Sequence, residues 1–291
     1  MPWLFLTLLG AAGFGLTSLI DKLFVGKFLK SEWSYYCWWG CASALASPLF
    51  LIFHTGPVSF NIFAALAGMS GAIASRAYLA AISREDISNV APIFLMSPLF
   101  ALVLSAIFLS EAITLQDCAG IAVVVFGAML MALREPHKLK LSAGMKFALL
   151  NAAIAGANAI LYKLATGLGG AFEVSFWEWL FFGIVAVPIG ARHIGTAVRR
   201  IRALTLPQGA LMASTIPIIM ASFALFILAY SMQSAPLVAA VGASQPLFVF
   251  MYAGLASIFI PKLLKEELDR RTILFKLLGG ALIIIGVFLV S

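Results

Sequence analysis

At 291 residues, 63% hydrophobic and only 11% charged, the chain carries too few charges to solvate a soluble fold. That excludes disordered and nucleic-acid-binding readings, so the net charge of +7 belongs to the loops of a membrane protein. Cys37, Cys41 and Cys118 sit in apolar stretches without paired or metal-ligand spacing, so no disulfide framework, metal or cofactor is expected.

A helix needs roughly 20 apolar residues to cross the hydrocarbon. Breaks between apolar runs predict ten such helices in an all-α membrane protein. The first covers 3–20 and starts without the charged n-region of a signal peptide, so it reads as a retained helix. Then come 34–53, 60–82 and 87–109, the last with Pro98 in its middle, where proline removes a hydrogen bond and kinks the helix. The fifth, 112–133, is interrupted early by Asp117. A polar stretch at 134–144 leads to 145–165 and 173–190, and a second one at 191–208 follows. The last three helices cover 209–230, 236–260 with Pro246 mid-helix, and 273–290. These runs are continuously apolar rather than alternating, unlike the strands of a β-barrel.

Of the 19 lysines and arginines, 17 lie in or beside the odd-numbered connections, from Lys22, Lys27 and Lys30 to Arg270, Arg271 and Lys276. Glu111, Asp117 and Glu173 lie in or beside the even ones. The positive-inside rule then places the odd connections in the cytoplasm and both termini outside, as for a protein of the bacterial inner (plasma) membrane.

The chain also repeats itself. Shifted by 141, Gly15, Lys22, Glu32, Ser34 and Trp38 fall on Gly156, Lys163, Glu173, Ser175 and Trp179. Shifted by 148, Ala81, Ser83, Val90, Ala91, Pro98, Leu99 and Phe100 fall on Ala229, Ser231, Val238, Ala239, Pro246, Leu247 and Phe248. Shifted by 159, Gly120 and Gly127 fall on Gly279 and Gly286. Residues 1–140 and 141–291 thus form two halves of five helices each, and an odd number makes the second half enter from the opposite face. This is an inverted repeat of the kind used by secondary transporters.

On this duplication, on Val90-Ala91-Pro92 running to Pro98-Leu99-Phe100, on Glu111 ahead of a Gly-containing helix, and on Pro246-Leu247-Phe248 and Glu267, the sequence resembles the drug/metabolite transporter superfamily. Within it, the ten-helix EamA-type exporters are the most similar group. The resemblance implies a basket of helices around a central cavity, peripheral fifth and tenth helices, and export of amino acids and related metabolites. The small four-helix relatives use a membrane-embedded carboxylate on their first helix. Here that stretch holds Phe14 and Gly15, with Asp21 at its end.

Ionisable groups inside spans are costly and face a cavity or a partner. Arg76 reads either as a snorkelling side chain or as a carboxylate-binding donor. Glu178, between Trp177 and Trp179, reads as an interfacial acid or as the partner of a substrate amine or proton. A zwitterion would then meet Arg76 toward the cytoplasm and Glu178 toward the outside. Ser97 precedes Pro98, and Ser244 and Gln245 precede Pro246, which places polar side chains beside the matched kinks. With Tyr78, Asn158 and Tyr162 these complete the substrate-binding candidates, although Asn158 also reads as interhelical glue. Lys22 and Lys163 end equivalent helices, where a cation complements the helix dipole, and Asp21 reads as a local partner of Lys22.

The expected function is a secondary transporter that exports amino acids or similar small amphiphilic metabolites by alternating access around a central cavity. Its partners would be a small-molecule substrate and the lipid bilayer, without nucleic acid; a monomer is compatible with this reading, and the sequence does not set the oligomeric state. The alternatives are uptake or exchange of another polar solute, such as a sugar, nucleotide precursor or quaternary amine, and a membrane-embedded lipid-modifying enzyme. The chain holds no Gly-x-x-x-x-Gly-Lys-Ser/Thr loop. Nor does it cluster His, Asp and Glu at one membrane face, so no catalytic residue is assigned.

Overall fold

The computed structural model describes residues 1–85, 87–111, 113–132, 142–259 and 270–290. Among them every regular element is a helix, with no strand. Helix α1 (Pro2–Leu23) runs into a π-helical turn at Phe24–Phe28, and α2 (Glu32–Ala46) continues as a 3-10 stretch to Phe53. The remaining helices of the first half are α3 (Ile62–Ile82), α4 (Ile87–Phe94), α5 (Ser97–Phe108) and α6 (Leu115–Ala132). There follow α7 (Ala143–Leu168), α8 (Ala171–Gly190), α9 (Ile194–Arg202), α10 (Leu206–Met232), α11 (Ala235–Gly242), α12 (Gln245–Phe259) and α13 (Arg270–Val290).

Short polar residues start these helices by accepting orphan backbone N–H groups. Ser31 accepts from the Ser34 N–H, Asn61 from Ala64 and Ser142 from Met145. At α10 the Gln208 side chain reaches back to the Thr205 N–H at 3.0 Å.

Nine helices among the described residues are long and apolar enough to cross a membrane. The predicted fifth span, α6, runs to the edge of the described residues, and its described apolar part, Leu115–Met131, is shorter than these nine. It packs along α13 through facing glycines, where a Cβ on Gly127 would lie 2.7 Å from the Gly279 carbonyl oxygen. Gly120 and Gly286 meet in the same way. The 191–208 stretch is not a plain loop, since it carries the amphipathic helix α9. The cations Arg134, Lys138, Lys140, Lys262 and Lys265, together with Glu267 and the boundary at 140/141, lie outside the described residues.

The two proline kinks are corrected. Each predicted span is broken into two helices, α4 with α5 and α11 with α12, and Pro98 and Pro246 occupy the first turn of the second piece. There the missing N–H is one that no helix satisfies, so proline starts the new helix instead of bending an old one.

Among the described residues, cation-bearing connections meet at one end of the bundle. Arg200 of α9 donates to the Leu29 and Lys30 carbonyls, and Glu85 after α3 lies over Gly144 at the start of α7. At the opposite end the Asn61 amide donates to the Ala165 carbonyl at 2.9 Å. These are called below the Lys22 end and the Lys163 end.

Candidate functional site: a cavity open at one end

A cavity of about 1260 Å³ lies between helices that include α1, α3, α8, α10 and α12. This exceeds the roughly 300–1,000 Å³ of a closed ligand pocket, as expected of a vestibule in contact with water. Its mouth is lined by Lys22, Gly26, Ile82, Glu85 and Lys276, all at the Lys22 end. Deeper walls carry the rings of Phe14, Trp39, Tyr78, Phe94, Trp179, Phe182 and Phe226.

Packing explains the opening. Helix α3 packs along α8 over much of its length, because Gly68 lets the backbones meet: a Cβ there would lie 2.8 Å from the Phe182 nitrogen. Helices α2 and α10, by contrast, touch only marginally. The Lys163 end is shut by hydrogen bonds between elements. Lys163 donates to the carbonyls of Tyr230 and Gln233 at 3.0 and 2.9 Å. The Glu111 carboxylate accepts from the Ala235 N–H and from the Ser105 hydroxyl. Glu173 accepts from the Ser59 N–H and hydroxyl, and Trp177 donates to the Ser59 carbonyl, which ties the 54–61 loop to α8.

Two buried carboxyls line the cavity at different depths. Glu178, 5% exposed, lies on α8 about 10 Å from that helix's start at the Lys163 end. The Tyr162 hydroxyl lies against it, and Asn158 sits close by, with its amide oxygen accepting from Ser70 at 2.6 Å. Glu178 therefore faces the cavity rather than the outer headgroups. Asp21, 6% exposed, is one turn from the Lys22 end and accepts from the Tyr35 hydroxyl. It is not held by its neighbour Lys22, whose side chain is exposed at the mouth.

The predicted site residues separate into groups. Tyr78, Ser97, Glu178, Gln245 and Pro246 line the cavity. Gln245 donates to the Ser18 hydroxyl at 2.7 Å and to the Phe14 carbonyl, so it joins α12 to α1. Asn158 and Tyr162 stand behind Glu178, and Ser244 is fully buried at the α11–α12 break. Pro98 is buried at the start of α5, where Gly156 allows α7 to approach the Ser97 carbonyl. Arg76 does not line the cavity. It donates to Glu32 at 2.8 Å, and its guanidinium lies 3.8 Å above the Trp33 ring, whose plane is stacked with His193. The two halves of the expected zwitterion site are therefore unlike: Glu178 faces the cavity, and Arg76 is engaged by α2.

Asp21 is the residue that the sequence reading passed over. Its signal was helical spacing, since Phe14, Thr17, Ser18 and Asp21 follow an i, i+3, i+4, i+7 pattern and all line the cavity. No group of three or more His, Cys, Asp or Glu side chains that could hold a metal occurs among the described residues.

No curated protein matches the chain. Among solved structures, 28 chains match. One of them, a crystal structure of a protein, superposes with a TM-score of 0.69 at 14% identity, covering 98% of this chain and 95% of that one, which shows a shared fold. The EamA-like transporter family model matches residues 1–133. With nine helices among its described residues long and apolar enough to cross a membrane, the chain is an integral membrane protein whose residues 1–133 are similar to the EamA-like transporter family.

Proposed function

We propose that the chain is a secondary transporter exporting amino acids or similar small amphiphilic metabolites, by alternating access between two inverted five-helix halves. In this reading α6 and α13 complete ten spans as a peripheral pair. The observation that carries it is the cavity: open at the cation-rich end, shut at the other, walled by aromatic rings, and holding two buried carboxyls. A buried carboxylate is costly unless a cation or proton joins it, and the cations lining this cavity, Lys22 and Lys276, sit at its mouth. The substrate group recognised inside is therefore an amine, with an apolar body lying against the rings. The cation-rich end is the cytoplasmic one under the positive-inside rule, so loading from within and release outside fit export. The same features favour a second reading, a quaternary amine, because aromatic faces attract cations that cannot donate hydrogen bonds.

The test is flux and binding in liposomes, with and without a pH gradient. Glu178→Gln and Asp21→Asn, in folded protein, should each weaken affinity for an amine-bearing substrate about tenfold, while an uncharged isostere is unaffected. Equal affinity of both variants and wild type for every amine tested would remove the carboxyl assignment. Transport of quaternary amines alone would select the second reading.

A further inference from the structure

The lysine that shuts one end of the bundle has a counterpart at the other. Lys163 lies one turn before the end of α7, and its ammonium takes the carbonyls of Tyr230 and Gln233 at the end of α10. A helix C-terminus leaves its last carbonyls without intrahelical donors and favours a cation, so this contact holds α7 and α10 together. Those two helices pack against each other, whereas the equivalent pair, α1 and α3, barely meet. Shifting by 141 puts Lys22 on Lys163, and shifting by 148 puts Ile82 and Glu85 on Tyr230 and Gln233. Lys22, Ile82 and Glu85 all line the open mouth. Lys22 is exposed there and bonds to no described residue.

We infer that Lys22 is a second latch: when the cavity closes at this end, the end of α3 moves to α1 and the Lys22 ammonium takes the Ile82 and Glu85 carbonyls, as Lys163 lets go of Tyr230 and Gln233. This rests on the alternating access proposed above. The two latches differ in one respect. Position 233 is a glutamine and position 85 a glutamate, so the Lys22 latch gains an ion pair that the Lys163 latch lacks. The packing is asymmetric in the matching sense, since α3 now rests on α8 while α10 stands apart from α2.

The experiment measures distances between spin labels on the full chain in lipid nanodiscs, with Cys37, Cys41 and Cys118 changed to alanine. One pair, Gly26→Cys with Arg84→Cys, reports the Lys22 end. The other, Gly167→Cys with Met232→Cys, reports the Lys163 end. Gly26 and Gly167 are counterparts under the 141 shift, and a side chain at either meets nothing within 4 Å. Lys163→Met should raise the population open at the Lys163 end about tenfold, and Lys22→Met should lower it about tenfold. Lys22→Arg and Lys163→Arg, which keep the donors, should leave it within about twofold. Should Lys22→Met fold poorly, Lys22→Gln serves in its place with the same expected direction. Two populations in the wild type that Lys22→Met and Lys22→Gln leave unmoved, or shift in the same direction as Lys163→Met, would overturn the latch alone. A single open end in the wild type and in every variant would overturn alternating access together with the latch.

Discussion

Arg76 and Glu178 illustrate how one kind of residue acquires two roles. Both are ionisable side chains inside apolar runs, and both read as candidate substrate contacts. Arg76 pairs with Glu32, 44 residues away, and lies under Trp33. Its Nη1 and the Glu32 Oε2 are buried without hydrogen-bond partners, so removing one member strands a charge. Arg76→Met should cost about 2–4 kcal/mol of stability, and adding Glu32→Leu should recover most of that, as read by thermal unfolding in detergent. Substrate affinity of the double variant should match wild type. A loss of affinity with normal stability would return Arg76 to the transport path. Glu178 was legible as a candidate because an ionisable group inside a span is costly and faces a cavity or a partner. Asp21 was less legible, because an adjacent lysine offered a plausible local partner that the fold does not use.

The helices show which features of a sequence pattern survive folding. The glycines of α6 and α13 that align at a shift of 159 allow close packing, because a missing Cβ is a property of the residue itself. Gly127→Leu should therefore destabilise by about 1–3 kcal/mol, whereas Gly195→Ala, which meets nothing within 4 Å, should shift the unfolding temperature little. Equal shifts for the two would argue that the α6–α13 seam is loose. The prolines were read correctly as interruptions and incorrectly as kinks. A proline reads the same whether it bends one helix or begins another, and the difference lies in whether the preceding residues resume helical hydrogen bonding. At Leu95–Met96 and Ala243–Ser244 they form turns instead. Pro98→Ala should consequently leave stability within about 1 kcal/mol, measured by the same unfolding assay.

At the scale of the whole molecule, the loops sort by charge. Among the described residues, the connections holding Lys27, Lys30 and Arg200 share the Lys22 end with the open mouth, and the loop pinned by Glu173 and Trp177 shares the closed one. Cysteines placed at His54 and at Gln233 should react with an impermeant thiol reagent from outside intact cells, and one at Lys30 should react only in inverted vesicles. The reverse pattern would exchange the two faces and turn the proposed export into uptake.

The sequence alone determined that the chain crosses the membrane many times, which connections hold its cations, and which stretches align when the chain is shifted on itself. Each follows from local quantities: the length of an apolar run, the charge of a loop, the absence of a side chain. The tertiary structure alone decided which buried charges are engaged by other helices and which line the cavity. Arg76 meets Glu32, Asp21 meets Tyr35, and Glu178 faces an aromatic cavity, through the rotation of each helix about its own axis. That rotation is set by which neighbours pack, above all by α3 settling against α8 through Gly68. In a span that is apolar on every side no stripe of hydrophobic residues marks the inward face, so only the packed neighbours determine where a lone charge points.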